Sequence, residues 1–311
     1  MGETDSMKML PWQRRRFRER EARGEAAAGR VWYGLARGGI AGLALLAAMP
    51  VARAQTPSPL AEWQYNGGEM LRGIFMPEIP RWQVVAGGAM AAQPLYDGSA
   101  RTHIEPGVSF DMRYRDIAFA SLGEGLGINL IHEKMYRAGV AISYDLGRKE
   151  SADRVHLNGL GNVNFAPEAK VFGDVVLSRD FPVVLRANVR RQLGATNGWI
   201  GDLGAYMPLP GSSQTFQWFA GPSTTLADDT YMQRYFGVGV AQSRRSGLRR
   251  FNASGGFKSV GFGLSANYFF TDHWFVSGQA ALTRLVGSAA RSPITQAKTG
   301  VSAGLSMNYM F

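Results

Sequence analysis

Residues 298–311 read KTGVSAGLSMNYMF, and their alternation decides the fold. Thr299, Val301, Ala303, Leu305, Met307, Tyr309 and Phe311 fall on odd positions, with Gly300, Ser302, Gly304, Ser306, Asn308 and Met310 between them. Successive side chains of a β-strand point to opposite faces, so this segment presents one apolar face ending in aromatics and one small, polar face.

The same period recurs upstream. Val260, Phe262, Leu264, Ala266, Tyr268 and Phe270 alternate with Ser259, Gly261, Gly263, Ser265 and Asn267. Tyr136 to Leu146, Val108 to Arg115 and Pro182 to Arg190 repeat it, and weaker runs lie at 82–91, 117–131, 167–178, 198–207, 214–222 and 273–286. A soluble sandwich also alternates. Here, however, the polar face is built from Gly, Ser, Asn, Arg and Asp, and aromatics gather at strand ends (Tyr144, Tyr268, Phe269, Phe270, Trp274, Phe275, Tyr309, Phe311), as in a membrane barrel with a hydrated interior and interfacial aromatic girdles. After residue 55 no run is apolar enough for a spanning helix, so a membrane protein of this sequence has to be a closed barrel that pairs all its backbone groups. The fold class expected is all-β: a transmembrane antiparallel up-and-down β-barrel of 10–12 strands. About eleven runs are visible and bacterial barrels close with an even number. The run 117–131, interrupted at Gly123-Glu124-Gly125, reads as one kinked strand or as two. Short connections (Arg179-Asp180, Thr271-Asp272-His273) suit periplasmic turns; longer ones at 147–166, 223–256 and 287–297 suit extracellular loops.

The N-terminus has a different character. The chain carries 34 Lys+Arg against 24 Asp+Glu; residues 1–54 hold ten against five, leaving 24 against 19 for the rest. Half of the net charge of +10 therefore sits in the leader and says little about nucleic acid, for which no recognition pattern is present. Arg14-Arg15-Arg16, the apolar run Gly39–Met49 and Val51-Ala52-Arg53-Ala54 have the layout of a secretory signal peptide, with cleavage expected after Ala54. Residues 55–80 lack alternation and read as an extended segment in the periplasm or the barrel mouth, ahead of a barrel at 81–311. The chain has no cysteine, which removes disulfides and thiolate metal sites.

Few residues invite a chemical reading. His103, His132, His156 and His273 occupy no catalytic or metal-ligand spacing, and no nucleotide loop or other cofactor motif is present, so neither catalytic nor metal residues are expected. Arg113, Arg115, Arg186 and Arg190, with Asp145, are expected to line the lumen. They would form an anion-selective constriction or pair with Asp111, Asp145, Asp174 and Asp202 to fill a narrow interior; the cost of a buried lone charge favours pairing. Arg244, Arg245, Arg249 and Arg250 lie in a long loop, where they face solvent or touch lipopolysaccharide phosphates.

Several motifs, in order, resemble the MipA/OmpV family of MltA-interacting outer-membrane proteins. They are Tyr114–Gly127 (YRDIAFASLGEGLG), Arg137–Val140 with Tyr144–Arg148, Leu157-Gly159-Leu160-Gly161, Tyr235–Val238 with Ser243 and Ser246–Leu248, Leu264–Tyr268, and Thr283–Leu285 with Ser292–Ile294. The resemblance runs from about Trp82 to Phe311. It implies a non-enzymatic barrel in the outer membrane of a Gram-negative bacterium, in contact with lipid and lipopolysaccharide, that scaffolds a lytic transglycosylase and a penicillin-binding protein. A small pore or an adhesin is the alternative, and a lipid-modifying barrel enzyme ranks last.

Overall fold

The computed structural model describes residues 81–133, 135–178, 182–194 and 197–311. The expected leader, its cleavage point and the segment 55–80 lie outside the described residues, as does the Arg179-Asp180 turn. Twelve strands occur among the described residues: β1 (Trp82–Pro94), β2 (Thr102–Tyr114), β3 (Ala118–Ser121), β4 (Gly125–His132), β5 (Tyr136–Asp145), β6 (Ala166–Val176), β7 (Val184–Gln192), β8 (Trp199–Pro208), β9 (Phe216–Ala227), β10 (Gly256–Phe269), β11 (Trp274–Leu285) and β12 (Thr299–Met310). Each pairs antiparallel with its sequence neighbour, and β1 pairs with β12 from Val85↔Met310 to Ala92↔Ala303, so the sheet closes into a barrel.

The two faces of the wall are chemically opposite. On β7 burial strictly alternates from Val184 to Gln192: Arg186, Asn188 and Arg190 face inward, Leu185 and Val189 outward. The exposed large apolar side chains form a band around the wall, including Ile128, Ile142, Val171, Leu203, Phe262, Leu282, Val301 and Leu305. At one end of the band lie Trp82, Tyr114, Tyr136, Tyr268, Phe270, Trp274, Tyr309 and Phe311, several in contact: Trp82 with Tyr114 at 4.7 Å and Trp274 with Tyr309 at 4.9 Å. Phe165, Trp199 and Phe257 mark the other end, with Arg191 stacked 5.3 Å from Trp199. Phe257 and Tyr268 are eleven residues apart on β10, which at a strand tilt of ~40° spans about 28 Å, matching the apolar belt of an outer-membrane barrel.

Long and short connections segregate. Residues 95–101, 146–165, 228–255 and 286–298 are on one side; 115–117, 133–135, 209–215 and 270–273 are on the other, with Arg81 and Phe311. Long loops mark the extracellular end and tight turns the periplasmic one. The interrupted run 117–131 is two strands, β3 and β4. Their hairpin turns through Leu122–Glu124 into Gly125, whose φ of +92° is open to glycine and whose Cβ would press on Ile142 O. The expected loop 223–256 is shorter, because β9 continues to Ala227. The remainder contains two helices the alternation did not announce, α1 (Asp229–Phe236) and α2 (Val240–Ser246). Asp228 caps α1 by accepting from Tyr231 N–H.

The two faces respond oppositely to substitution. Leu264→Arg, on the outward face of β10, is expected to lower folding stability by about 2–4 kcal/mol, the cost of a cation near the bilayer midplane. Its inward neighbour Ser265 is fully buried with no hydrogen-bond partner among the described residues, so Ser265→Ala is expected to be neutral or slightly stabilising. Urea titration of vesicle-inserted protein, read by heat-modifiable gel mobility, checks both.

Candidate functional site: a charged lumen beneath a folded cap

Inward positions of β2 and β5–β8 hold cations and carboxylates together. Arg113 donates from Nε to Asp111 at 2.9 Å and from an Nη to Glu124 at 3.2 Å. Glu124 belongs to the β3–β4 hairpin turn and is folded into the lumen at 1% exposure. Arg186 reaches Glu124 at 3.3 Å and Asp174 at 3.2 Å, while Arg137 donates to Asp174 at 2.8 Å. Arg190 pairs with Asp202 at 2.5 Å and lies 3.6 Å from Glu168; Thr225 donates to Asp202 at 2.6 Å. Lys170 Nζ donates to Glu124 O. Inside this ring sits Phe172, with Arg137, Lys170 and Arg186 within 5.6–6.0 Å of its ring centroid. Isolated buried charges are prohibitively costly, so four arginines are matched to carboxylates across three strand boundaries and a hairpin, and Lys170 to a main-chain carbonyl. The opposite wall carries a neutral network: Asn308 bridges Ser109, Ser306 and Ser277, and Ser277 donates to Asn267.

Above the lumen the long loops fold on one another. Tyr231, Met232, Tyr235 and Phe236 of α1 pack with Val163, Ala253, Leu285 and Ala289, and a second cluster joins Tyr96, Leu157, Leu160, Val238 and Ile294. Buried Arg148 donates to Tyr235 O at 2.6 Å, and Ser292 to Phe236 O at 2.6 Å. Glu150 accepts from the N–H groups of Gly159 and Gly161, closing its loop. Burial raises the Tyr96 phenol to about 12. Asp153, fully buried, accepts from His156 Nδ1 at 3.0 Å and from Arg101 at 3.4 Å. Burial pushes its carboxyl up, but His156 and Arg101 outweigh that and hold it below the usual range.

Of the residues singled out in the sequence, Arg113, Arg186 and Arg190 are lumen residues with carboxylate partners, and Asp145 is a fully buried acceptor for Gln192 at 2.5 Å and Gly147 N–H at 2.8 Å. Arg115 does not line the lumen: it sits in the β2–β3 turn with a positive φ of 48°, exposed, its guanidinium 5.7 Å from the Tyr114 ring. Strand alternation ends at Tyr114, so counting by twos carried one residue too far. Arg244 and Arg245 belong to α2, Arg249 and Arg250 follow it, and all four are exposed. Arg245 also donates to Gly159 O, and Arg249 to Arg291 O. Alternation missed Glu124, which lies in a turn; it put Arg137 on the polar face of its run, but nothing in the sequence identified its partner. Three of the histidines meet carboxylates or rings: His103 lies 2.7 Å from Glu105, His156 3.0 Å from Asp153, and His273 stacks on Tyr309. Among the described residues no cluster of three metal-ligating side chains occurs.

A closed sheet with a lipid-facing belt, a charged interior and opposite loop and turn ends defines an outer-membrane β-barrel. Residues 85–311 match the model of the MltA-interacting protein MipA family, and the chain belongs to that family. It is thereby placed in the outer membrane of a Gram-negative bacterium. Among solved structures, the translocator domain of the autotransporter NalP from Neisseria meningitidis is 12% identical, with 84% of this chain and 100% of that one covered and a TM-score of 0.40. An outer membrane channel from Pseudomonas putida F1 is 10% identical over 74% and 94%, with a TM-score of 0.36. The neisserial surface protein NspA is 10% identical over 75% and 97%, with a TM-score of 0.22. No curated protein matches the sequence.

Truncating Arg186→Ala leaves Glu124 and Asp174 with one arginine each in place of two and is expected to cost at most about 3–5 kcal/mol. The double variant Arg186→Met/Asp174→Leu also strips buried Arg137 of its 2.8 Å partner and is expected to cost more than the single change, in the same urea titration. Asp153 gives a pH signature. A carboxyl held low when folded stabilises above its unfolded value of about 3.9 and loses that contribution as pH falls through its folded value. Limited proteolysis of the 146–165 loop is therefore expected to accelerate below about pH 4. Asp153→Asn should be cleaved faster at neutral pH and respond less to acid.

Proposed function

We propose that this protein is a non-enzymatic scaffold that holds a lytic transglycosylase and a penicillin-binding protein at the inner face of the outer membrane. Membership in a family named for interaction with MltA carries this reading. The filled interior supports it: the Arg113–Glu124–Arg186–Asp174 chain crosses the lumen and the loops pack into a cap above it. Such a barrel has little room for a transport path, so its working surface is external. Holding a cutting and a synthesising enzyme on one platform raises the effective concentration of each for the other. Residues 1–54 serving as a removed export leader, and 55–80 as a periplasmic arm entering β1 at its periplasmic end, complete the proposal. The exposed Arg244, Arg245, Arg249 and Arg250 are proposed to face lipopolysaccharide phosphates, to which guanidinium groups bind well.

Affinity capture from detergent-solubilised envelopes is expected to recover a lytic transglycosylase and a penicillin-binding protein, and recovery of neither counts against the scaffold. In planar bilayers the purified protein is expected to be electrically silent; steady anion-selective conductance would favour a pore instead.

A further inference from the structure

The barrel wall is incomplete on its extracellular half. β3 pairs with β2 only from Asp111↔Ser121 to Tyr114↔Ala118, with one further bond from Leu122 N–H to Phe110 O. Among the described residues, Thr102 to Ser109 have a strand partner on β1 alone. On the far side β4 stops pairing with β5 at Leu126↔Ile142. The β3–β4 hairpin therefore ends about halfway up the wall, leaving a notch. Its floor is the hairpin turn, where Tyr144 donates to Leu122 O. Its lintel is the Arg101–Asp153 ion pair joining loops 95–101 and 146–165. At a rise of ~3.3 Å per residue and the usual tilt, the turn lies roughly 15 Å above the periplasmic girdle, so the notch occupies the outer-leaflet half. Where all four strands are present β2 and β5 are about three strand spacings apart, ~14 Å.

The edge of β2 facing this notch has a definite chemistry. Backbone groups alternate sides along a strand, so those of Ile104, Pro106 and Val108 point the same way as Phe110 O, into the notch. Unpaired backbone groups in hydrocarbon cost several kcal/mol each. Pro106 removes one donor and obstructs addition of a further strand, which argues against a protein partner there. A pure hydrocarbon chain satisfies no backbone group, whereas a lipid with amide and hydroxyl groups near its headgroup does. Apolar side chains flank the opening: Ile104 at 67% exposure, Leu126 at 65%, and Val155 beside the lintel at 76%. Exposed Arg101 and Arg154 lie over it. The charge pattern agrees: loops 95–101, 146–165, 228–255 and 286–298 hold eleven Lys/Arg against five Asp/Glu, whereas the turns 115–117, 133–135, 209–215 and 270–273 hold two against three.

We propose that the notch between β2 and β5 seats one molecule of the phosphorylated, acylated glycolipid of the outer leaflet. Its phosphate lies on Arg101 and Arg154, and its amide and hydroxyl groups cap the open edge of β2.

The test uses the full barrel in detergent with bis-phosphorylated lipid A as the probe, read by native mass spectrometry. A one-to-one adduct is expected, weakened at least tenfold in Arg101→Glu/Arg154→Glu and little changed in Arg291→Glu/Lys298→Glu, two exposed cations of loop 286–298. Equal loss in both pairs, no adduct, or equal binding of dephosphorylated lipid A or phosphatidylethanolamine overturns the proposal. A second measurement does not depend on removing the arginines. A photo-crosslinking residue at Val108 is expected to capture lipid A well above one at Val301, which faces lipid on β12. Equal capture at the two positions means ordinary annular lipid and also overturns it. Heat-modifiable gel mobility confirms that each variant is folded. The scaffold reading is untouched by either result, because it concerns the periplasmic end.

Discussion

A polypeptide in hydrocarbon has no water to satisfy its N–H and C=O groups, and this constraint organises the whole molecule. It requires the register between β1 and β12, which joins the first strand to the last and leaves the ring without a free edge along most of its height. Once the ring is closed, strand alternation assigns every side chain to lipid or to lumen. The apolar belt and the two aromatic girdles follow from that assignment. So does the gathering of Arg, Asp, Glu, Ser and Asn in a narrow interior, where each charge needs a partner close by.

The interior solves that second problem with shared rather than separate pairs. Glu124 serves Arg113 and Arg186; Asp174 serves Arg186 and Arg137. Strands distant in sequence are thereby fastened across the lumen, and Phe172 spreads cationic charge over its ring face. A hairpin turn supplies Glu124, so the short β3–β4 hairpin both completes this network and leaves the wall open above it. The notch and the ion-pair network have a single structural origin. The same shortening leaves loop 146–165 beside the lintel, where Asp153 ties it to Arg101.

The extracellular end is a small folded layer in its own right. Its apolar clusters draw on several loops, and α1 lays Tyr231, Met232, Tyr235 and Phe236 against strand-end residues Ala227, Ile200 and Leu285. Turns at the opposite end are short. One end is covered by packed loops and the lumen is crossed by ion pairs, and the proposed roles lie at the periphery.

Period-two alternation in residues 298–311 and 256–270 was enough to determine strands, faces and membrane class, because a strand's geometry is local and lipid tolerates only apolar outward positions. The ordered motifs from Tyr114 to Ile294 carried the family. That carboxylates would pair the lumen arginines was also legible, since a lone buried charge is too costly. Tertiary structure decided what depends on neighbours distant in the chain. The division of 117–131 into two strands rests on pairing with β2 and β5. The removal of Arg115 from the lumen rests on where that pairing stops. The choice of Glu124 and Asp174 as shared acceptors, the cap and the notch all arise from contacts between residues tens to hundreds of positions apart. Alternation reports only which side of the wall a side chain occupies; which side chain it meets there is set by register and closure.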